Sequence, residues 1–472
     1  MGSKYLVMGS ALVLSACAAL PNREAQPQMR AMETYATERS FVASANGAWP
    51  TDSWWLAYQD EQLNALIDEA LRGSPTLAAA DARVRKAYAA ADTTGAARFP
   101  QASFNASASE QRQSYNYLTP PEFTPRGWND YGRATLDLSW ELDFWGKNRA
   151  ALAAATSEAE AAEAERAQAR LAIATSVALA YAELAREYAA LDTAVAARDV
   201  RGKTAELFRA RYSNGLETLG SVRQVESRRA VAEADVLSLQ EQIALQRNRI
   251  AALLGAGPDR GLEIARPAFA FDTAAVIPQH LAADLLGRRP DLASARLRAQ
   301  ASAKRIHVAE AAFYPNVNLV GLIGAQSFGI DMLTKSGSTI GSVGPALSLP
   351  IFTGGRLRAQ LRGTDADYTE AIANYEHAVV QALQEVADAV TSQHALAPQL
   401  AHVDEAVIAA REAWGVQRNR YEGGLGTYLD VLSAEDYLLS NLRTQTDLRS
   451  RAFTLDISLV SALGGGYLVQ KF

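Results

Sequence analysis

The chain has 472 residues, of which 49% are hydrophobic and 21% charged, with a net charge of −6. So many apolar side chains can fill a large core, and the acidic balance argues against a nucleic-acid surface. The single cysteine excludes a disulfide within one chain and a zinc site of the finger type.

The first residues read as an address. Lys4 supplies a positive charge, residues 5–14 form a short apolar core, and Leu14-Ser15-Ala16-Cys17 follows, giving a signal peptide over 1–16 that is too short to span a bilayer. The run resembles the lipobox of bacterial lipoproteins, which implies that Cys17 is acylated, palmitate included, and becomes the first mature residue. Ala18 stands where an aspartate commonly retains lipoproteins in the inner membrane, so the resemblance implies a lipid anchor in the outer membrane. A signal-peptidase site with an incidental cysteine is the alternative. Residues 17–74 form a polar lead that ends in Trp54-Trp55-Leu56-Ala57-Tyr58 and a short amphipathic helix over 63–71.

From Pro75 the chain is duplicated, with one unit over 75–257, a connecting stretch over 258–284, a second unit over 285–466 and a tail over 467–472. Pro75, Leu77, Ala80, Arg83 and Pro100 recur 215 positions later as Pro290, Leu292, Ala295, Arg298 and Pro315. From Leu138 the shift is 209, pairing Leu138, Gly146, Arg211, Tyr212, Gly215, Leu216, Thr218 and Glu226 with Leu347, Gly355, Arg420, Tyr421, Gly424, Leu425, Thr427 and Glu435.

Each unit predicts helix, strand, loop, strand, long helix, turn, helix. The organising stretch is Lys147 to Arg201, free of Gly and Pro and bounded by Gly146 and Gly202, with a heptad seam at Ala174, Val177, Tyr181, Leu184, Tyr188, Leu191 and Val195. Its partner is Ser221 to Leu254, extended end to end by the apolar-periodic run Thr76 to Gly95. In the second unit Pro398 aligns with Ala189 and Arg411 with Gly202, and a kink is expected near Pro398. Strands follow each aromatic-proline pair. Ala102, Phe104, Ala106 and Ala108 alternate with polar residues, as do Leu136, Leu138, Trp140, Leu142 and Phe144. Val317, Leu319, Gly321 and Ile323, then Val343, Leu347, Leu349 and Ile351, repeat the plan.

An ordinary antiparallel sheet also has one apolar face. The outer-membrane address, the strand length and the aromatics Trp128, Tyr131, Trp140 and Trp145 near strand ends point to a membrane sheet, which cannot have open edges. Four strands per chain cannot close a barrel, so copies must share one: two would give eight strands and three would give twelve.

The chain resembles a TolC-like outer-membrane factor of the lipoprotein branch that serves tripartite efflux pumps. The resemblance rests on the Trp54-Trp55 run, the starts Pro75-Thr76-Leu77 and Pro290-Asp291-Leu292, the duplicated Tyr-x-x-Gly-Leu-x-Thr turns and the Leu-Gly-x-Gly ends at 254–257 and 463–466. It implies a mainly α fold with a β-barrel part: a homotrimer whose twelve-stranded β-barrel in outer-membrane lipid continues into a twelve-helix α-barrel through the periplasm. The lead, 258–284 and the tail would form an equatorial belt. The implied function is a passive exit duct for drugs or other small compounds, coupled to a periplasmic adaptor and an inner-membrane proton-driven transporter. The export duct of a type I protein secretion system is the second reading. A non-pore coiled-coil lipoprotein is the third, and it has no use for the alternation from Leu136 to Phe144.

Catalytic chemistry and cofactor sites are not legible. His280, His307, His377, His394 and His402 lack metal-ligand spacing, Ala325-Gln326-Ser327-Phe328-Gly329 lacks the first glycine of a nucleophile elbow, and Gly464-Gly465-Gly466 reads as a helix stop. Candidate functional residues lie at the two turns. Gly215 and Gly424 suit a tight reversal at positive φ, leaving Leu216 and Leu425 at the tips before Thr218 and Thr427. Either the leucines pack back on their own hairpins or, as the resemblance implies, the turns contact the adaptor. The resemblance also places a gate at Asp430, with Arg420 and Tyr421 beside it. Ser433, Gly426, Gly220 and Ser221 occupy the family's other lock positions, so any lock here differs. The alternative is that Asp430 is part of a capping box with Thr427.

Overall fold

A computed structural model describes residues 25–31, 34–37, 48–116, 120–268, 285 and 287–468. Cys17 and the signal peptide, most of the stretch 258–284 and the end of the tail lie outside the described residues.

The elements, in order, are α1 (Glu61–Gly73), α2 (Pro75–Ala96), β1 (Gln101–Gln111), β2 (Asn129–Leu142), α3 (Lys147–Ser213), α4 (Leu219–Leu253), a short α5 (Asp259–Leu262), α6 (Pro290–Ala311), β3 (Asn316–Phe328), β4 (Thr339–Ser348), α7 (Arg356–Glu422) and α8 (Tyr428–Ala462). Both ends of α6 follow from α2 by the first shift, and both ends of α7 and α8 from α3 and α4 by the second. Strand register obeys the same rule, because Ala102 pairs with Leu138 and Val317, its counterpart, pairs with Leu347.

Two expectations shift. The long helix does not stop at Gly202 but runs 67 residues, about 100 Å, to Ser213. One interior glycine costs about 1 kcal/mol, too little to end a helix packed along its length. The helix α7 runs through Pro398. Phe144 lies past the end of β2, and Leu349 and Ile351 past the end of β4.

The chain divides into two compact units that cut across the repeats. The first is made chiefly of Arg83–Ala162 and Ala295–Tyr375 and holds an antiparallel sheet in the order β1-β2-β3-β4. Phe104, Leu136 and Ile323 stand side by side across the sheet, 70%, 51% and 62% exposed. Val343 and Leu347 continue that uncovered apolar face. On the opposite face Asn105 Nδ2 and Thr135 Oγ1 donate to Asp137 Oδ2 at 2.9 and 2.8 Å. Where the strands leave the helices, Trp140 Nε1 donates to the Arg98 carbonyl (3.0 Å), and Trp145 stacks on Tyr314 and donates to the Pro315 carbonyl (2.7 Å). Among the described residues no helix is long and apolar enough to cross a membrane.

The second unit, chiefly Arg30–Ala82, Glu163–Ser294 and Glu376–Phe472, is helical. Its core joins Trp54 and Trp55 with Leu63, Leu66 and Ile67 of α1, Val177, Tyr181 and Leu184 of α3, Ile243 and Ile250 of α4, and Phe453 and Ile457 of α8. Each large side chain buried this way contributes about 1.5–3 kcal/mol. Asp60 caps α1 by accepting from the Leu63 N–H (2.9 Å), and its other oxygen accepts from the Tyr181 hydroxyl (3.0 Å). The seam is buried from Ala174 to Leu184 and only partly buried at Tyr188 and Leu191. The end of α4 abuts the start of α2, as the end-to-end reading expects. Gly255 has φ +75°, and a Cβ there would sit 2.6 Å from the Gly73 carbonyl oxygen.

This contact generates a paired test. Gly215 also has positive φ (+73°) but open space around it. An L side chain in this conformation costs about 1–2 kcal/mol at either place, and only at Gly255 must backbone also move. Thermal unfolding is expected to show a larger loss for Gly255→Ala than for Gly215→Ala. Equal losses would show that the approach of the two chain segments carries no weight.

Candidate functional site at the hairpin tips

Both tips close by the same hydrogen bonds. At the end of α3 the N–H of Gly215 donates to the Tyr212 carbonyl (3.0 Å) and that of Leu216 to the Arg211 carbonyl (2.9 Å). At the end of α7 Gly424 donates to Tyr421 (3.0 Å) and Leu425 to Arg420 (2.8 Å). These paired bonds form the Schellman pattern, which needs the left-handed glycine. Thr218 Oγ1 then accepts from the Ser221 N–H (3.1 Å) and Thr427 Oγ1 from the Asp430 N–H (3.3 Å), starting α4 and α8. Leu216 and Leu425 do not pack back, being 63% and 77% exposed. Leu219 and Leu429, half exposed, flank them.

Asp430 completes a capping box, its Oδ2 accepting from the Thr427 N–H (3.0 Å) and hydroxyl (2.7 Å). The Thr427 hydroxyl first, and its N–H second, hold the Asp430 carboxyl below the usual aspartate range. Arg420 does not bond to Asp430; its Nη2 donates to the Leu425 carbonyl within the turn (3.3 Å).

Tyr421 is buried, and it ties one hairpin to the other. Its ring stacks on Phe208 of α3 with centroids 5.2 Å apart and lies under the Arg211 guanidinium, 4.5 Å from the ring centre. Arg211 Nη1 donates to the Tyr421 carbonyl (3.3 Å), and the Tyr421 hydroxyl donates to Glu217 Oε1. Burial pushes the Tyr421 hydroxyl well above the usual tyrosine range, and the Glu217 carboxylate adds to the shift. For Glu217 burial acts upward, but the bonds from Tyr421, the Thr218 N–H and Ser221 outweigh it and hold the carboxyl below its usual range. Ala205, Val222, Val225, Val431 and Leu432 seal the contact.

Glu217, Arg211 and Phe208 were not singled out by the sequence. A lock sought at Gly220 and Ser221 misses Glu217, which is the variable position of the Gly-Leu-x-Thr turn. Among the described residues no three His, Cys, Asp or Glu side chains group as metal ligands.

Residues 66–256 and 281–465 match the family described as Outer membrane efflux protein. The chain is 32% identical over 468 residues to the multidrug resistance outer membrane protein MdtP of Escherichia coli (strain K12), covering 98% of this chain and 96% of that one. It is 38% identical over 370 residues to the fusaric acid resistance protein FusA of Burkholderia cepacia, covering 76% and 68%. The crystal structure of the outer membrane protein VceC from Vibrio cholerae superposes with a TM-score of 0.84 at 50% identity, covering 89% of this chain and all of that one. With its duplicated helices, four-stranded sheet and matched span, this chain belongs to the outer membrane efflux protein family and is an outer-membrane efflux channel.

Proposed function

We propose that three copies of the chain assemble into the exit duct of a tripartite efflux system, passing drugs or other small compounds outward without catalysis. The observation that carries this reading is the sheet: an apolar face open to its surroundings, with β1 and β4 each pairing on one side only. In hydrocarbon those edges must be paired, and copies supply the pairs in a closed barrel of twelve strands. Strands of 10 to 14 residues are long enough to cross an outer membrane when tilted. The helices extend the duct through the periplasm, Cys17 carries the lipid anchor, and an inner-membrane proton-driven transporter supplies the energy. Purified protein is expected to run as a trimer by light scattering and to conduct in planar bilayers. A stable folded monomer without conductance would overturn the reading.

The tips Gly215-Leu216-Glu217-Thr218 and Gly424-Leu425-Gly426-Thr427 are the proposed contact with a periplasmic adaptor. Exposed leucines on rigid Schellman turns fit a partner better than they fit water. Leu216→Ser with Leu425→Ser is expected to abolish drug resistance in cells while the trimer accumulates normally. Unchanged resistance would remove the contact role.

The proposed closed state is held by Tyr421 against Glu217 and Arg211, with Asp430 and Arg420 at the second turn. Asp430 serves as both cap and gate in this reading, since three carboxylates brought near one axis attract a cation. The sign for the cap is fixed: its carboxyl pKa is lowered, so the cap's contribution is present above the usual aspartate range and is lost as pH falls through the lowered value. Asp430→Asn is expected to lower thermal stability at neutral pH and to weaken block by divalent cations. Coinciding single-channel records of parent and variant would confine Asp430 to the cap.

A further inference from the structure

One helical turn beyond the Tyr421 contact the two hairpins meet again through a cluster of four charges. Glu435 of α8 is 1% exposed, and it is the counterpart of Glu226, which pairs with Arg209 and Arg223 at the surface of the first hairpin. Facing Glu435 from α3 are Thr204, whose hydroxyl donates to Oε2 (3.0 Å), and Arg201, whose Nε lies 3.6 Å from Oε1. From α4 comes Arg228, which pairs with Asp436 at 2.8 Å. Asp436, on the same helix as Glu435, also draws Arg201 at 3.5 Å. Arg201 spends a further N–H on the Arg228 carbonyl (3.3 Å).

The arithmetic of donors is lopsided. Both carboxylates face Arg201 while Arg228 pairs with Asp436, and Glu435 Oε1 accepts no hydrogen bond although it is fully buried. A buried carboxylate with one donor for two oxygens is poorly satisfied when ionised, and a neutral carboxyl there loses little. Burial outweighs the neighbouring arginines and raises the Glu435 pKa. Ionising Glu435 therefore weakens the packing of the hairpins. Separation gives it water and lets it ionise.

We propose that Glu435 is a proton-operated latch between the two hairpins, engaged when neutral and released when ionised. The sign follows from the raised folded-state value. The latch's contribution is complete below the ordinary glutamate range and is lost as pH rises through the raised pKa. Rising pH thus favours separation at the tips, opposite to the effect on the Asp430 cap, which acid weakens. This inference rests on the reading of the tips as the end that opens.

The test compares the parent trimer with Glu435→Gln, which keeps an acceptor for Thr204 and cannot ionise. Two readouts separate the latch from the channel. Infrared difference spectra through a pH titration are expected to show a protonated carboxyl band in the parent that persists above the ordinary glutamate range and is missing in the variant. Amide exchange over residues 428–439, corrected for its intrinsic pH dependence, is expected to quicken in the parent as that band disappears and to stay slow in the variant. Conductance is expected to rise across the same interval in the parent only. Absence of the band, or the same exchange profile in both proteins, overturns the latch. If band and exchange behave as expected while neither protein conducts, the latch stands and the reading of the tips as an opening falls.

Discussion

Backbone N–H and C=O groups left unpaired in hydrocarbon each cost several kcal/mol, and this one constraint governs the chain from end to end. The sheet exposes Phe104, Leu136, Ile323 and Val343 on one face and leaves two strand edges open, so the apolar face suits lipid while the edges forbid it. Only pairing with further copies removes the conflict. The helices also leave apolar side chains exposed, among them Val231, Leu237 and Leu245 on α4 and Val380, Ile408 and Val416 on α7.

Duplication makes the chain regular, and the departures from it are where the two halves differ. Element boundaries obey the shifts at both ends of α6, α7 and α8, so the backbone is the same building unit twice. Side chains at matched positions are not the same. Glu226 sits at the surface with two arginines, and Glu435 is buried with a shared one. The tyrosine in the last turn of each long helix differs in the same way. Tyr212 is 45% exposed at the first tip and Tyr421 is buried at the second, because Tyr421 turns toward Phe208 and Arg211 of the other hairpin. One copy offers a socket and the other fills it.

The fold was largely legible because its information is local and repeated. Two shifts read from matched residues carry the observed pairing of Ala102 with Leu138 onto that of Val317 with Leu347, and the positive-φ turns were visible as Gly-Leu-x-Thr. What escaped depends on packing. The reach of α3 past Gly202 is decided by contacts along its length, and the start of β2 at Asn129 by pairing with β1 and β3, since residues 129–135 carry only a weak alternation. The partner of Tyr421 was the least legible. Glu217 lies 204 residues away in sequence, and only the crossing of two hairpins brings the groups together.

On the proposed reading the tips part while the body stays intact, and the helical unit divides its interactions accordingly. Around Trp54, Trp55, Tyr181 and Phe453 the contacts are apolar, and exposing them to water would cost about 1.5–3 kcal/mol for each large side chain. At the tips a smaller apolar cluster around Phe208 and Tyr421 is joined by polar bonds: Tyr421 to Glu217, Arg211 to the Tyr421 carbonyl, Thr204 to Glu435 and Arg228 to Asp436. Such bonds are exchanged for bonds to water when the surfaces separate, so each, having one charged partner, resists parting by about 1.5–3 kcal/mol. Parting at the tips exposes a smaller apolar cluster than disturbing the core around the tryptophans would, and the undersatisfied Glu435 lowers that cost further whenever it ionises.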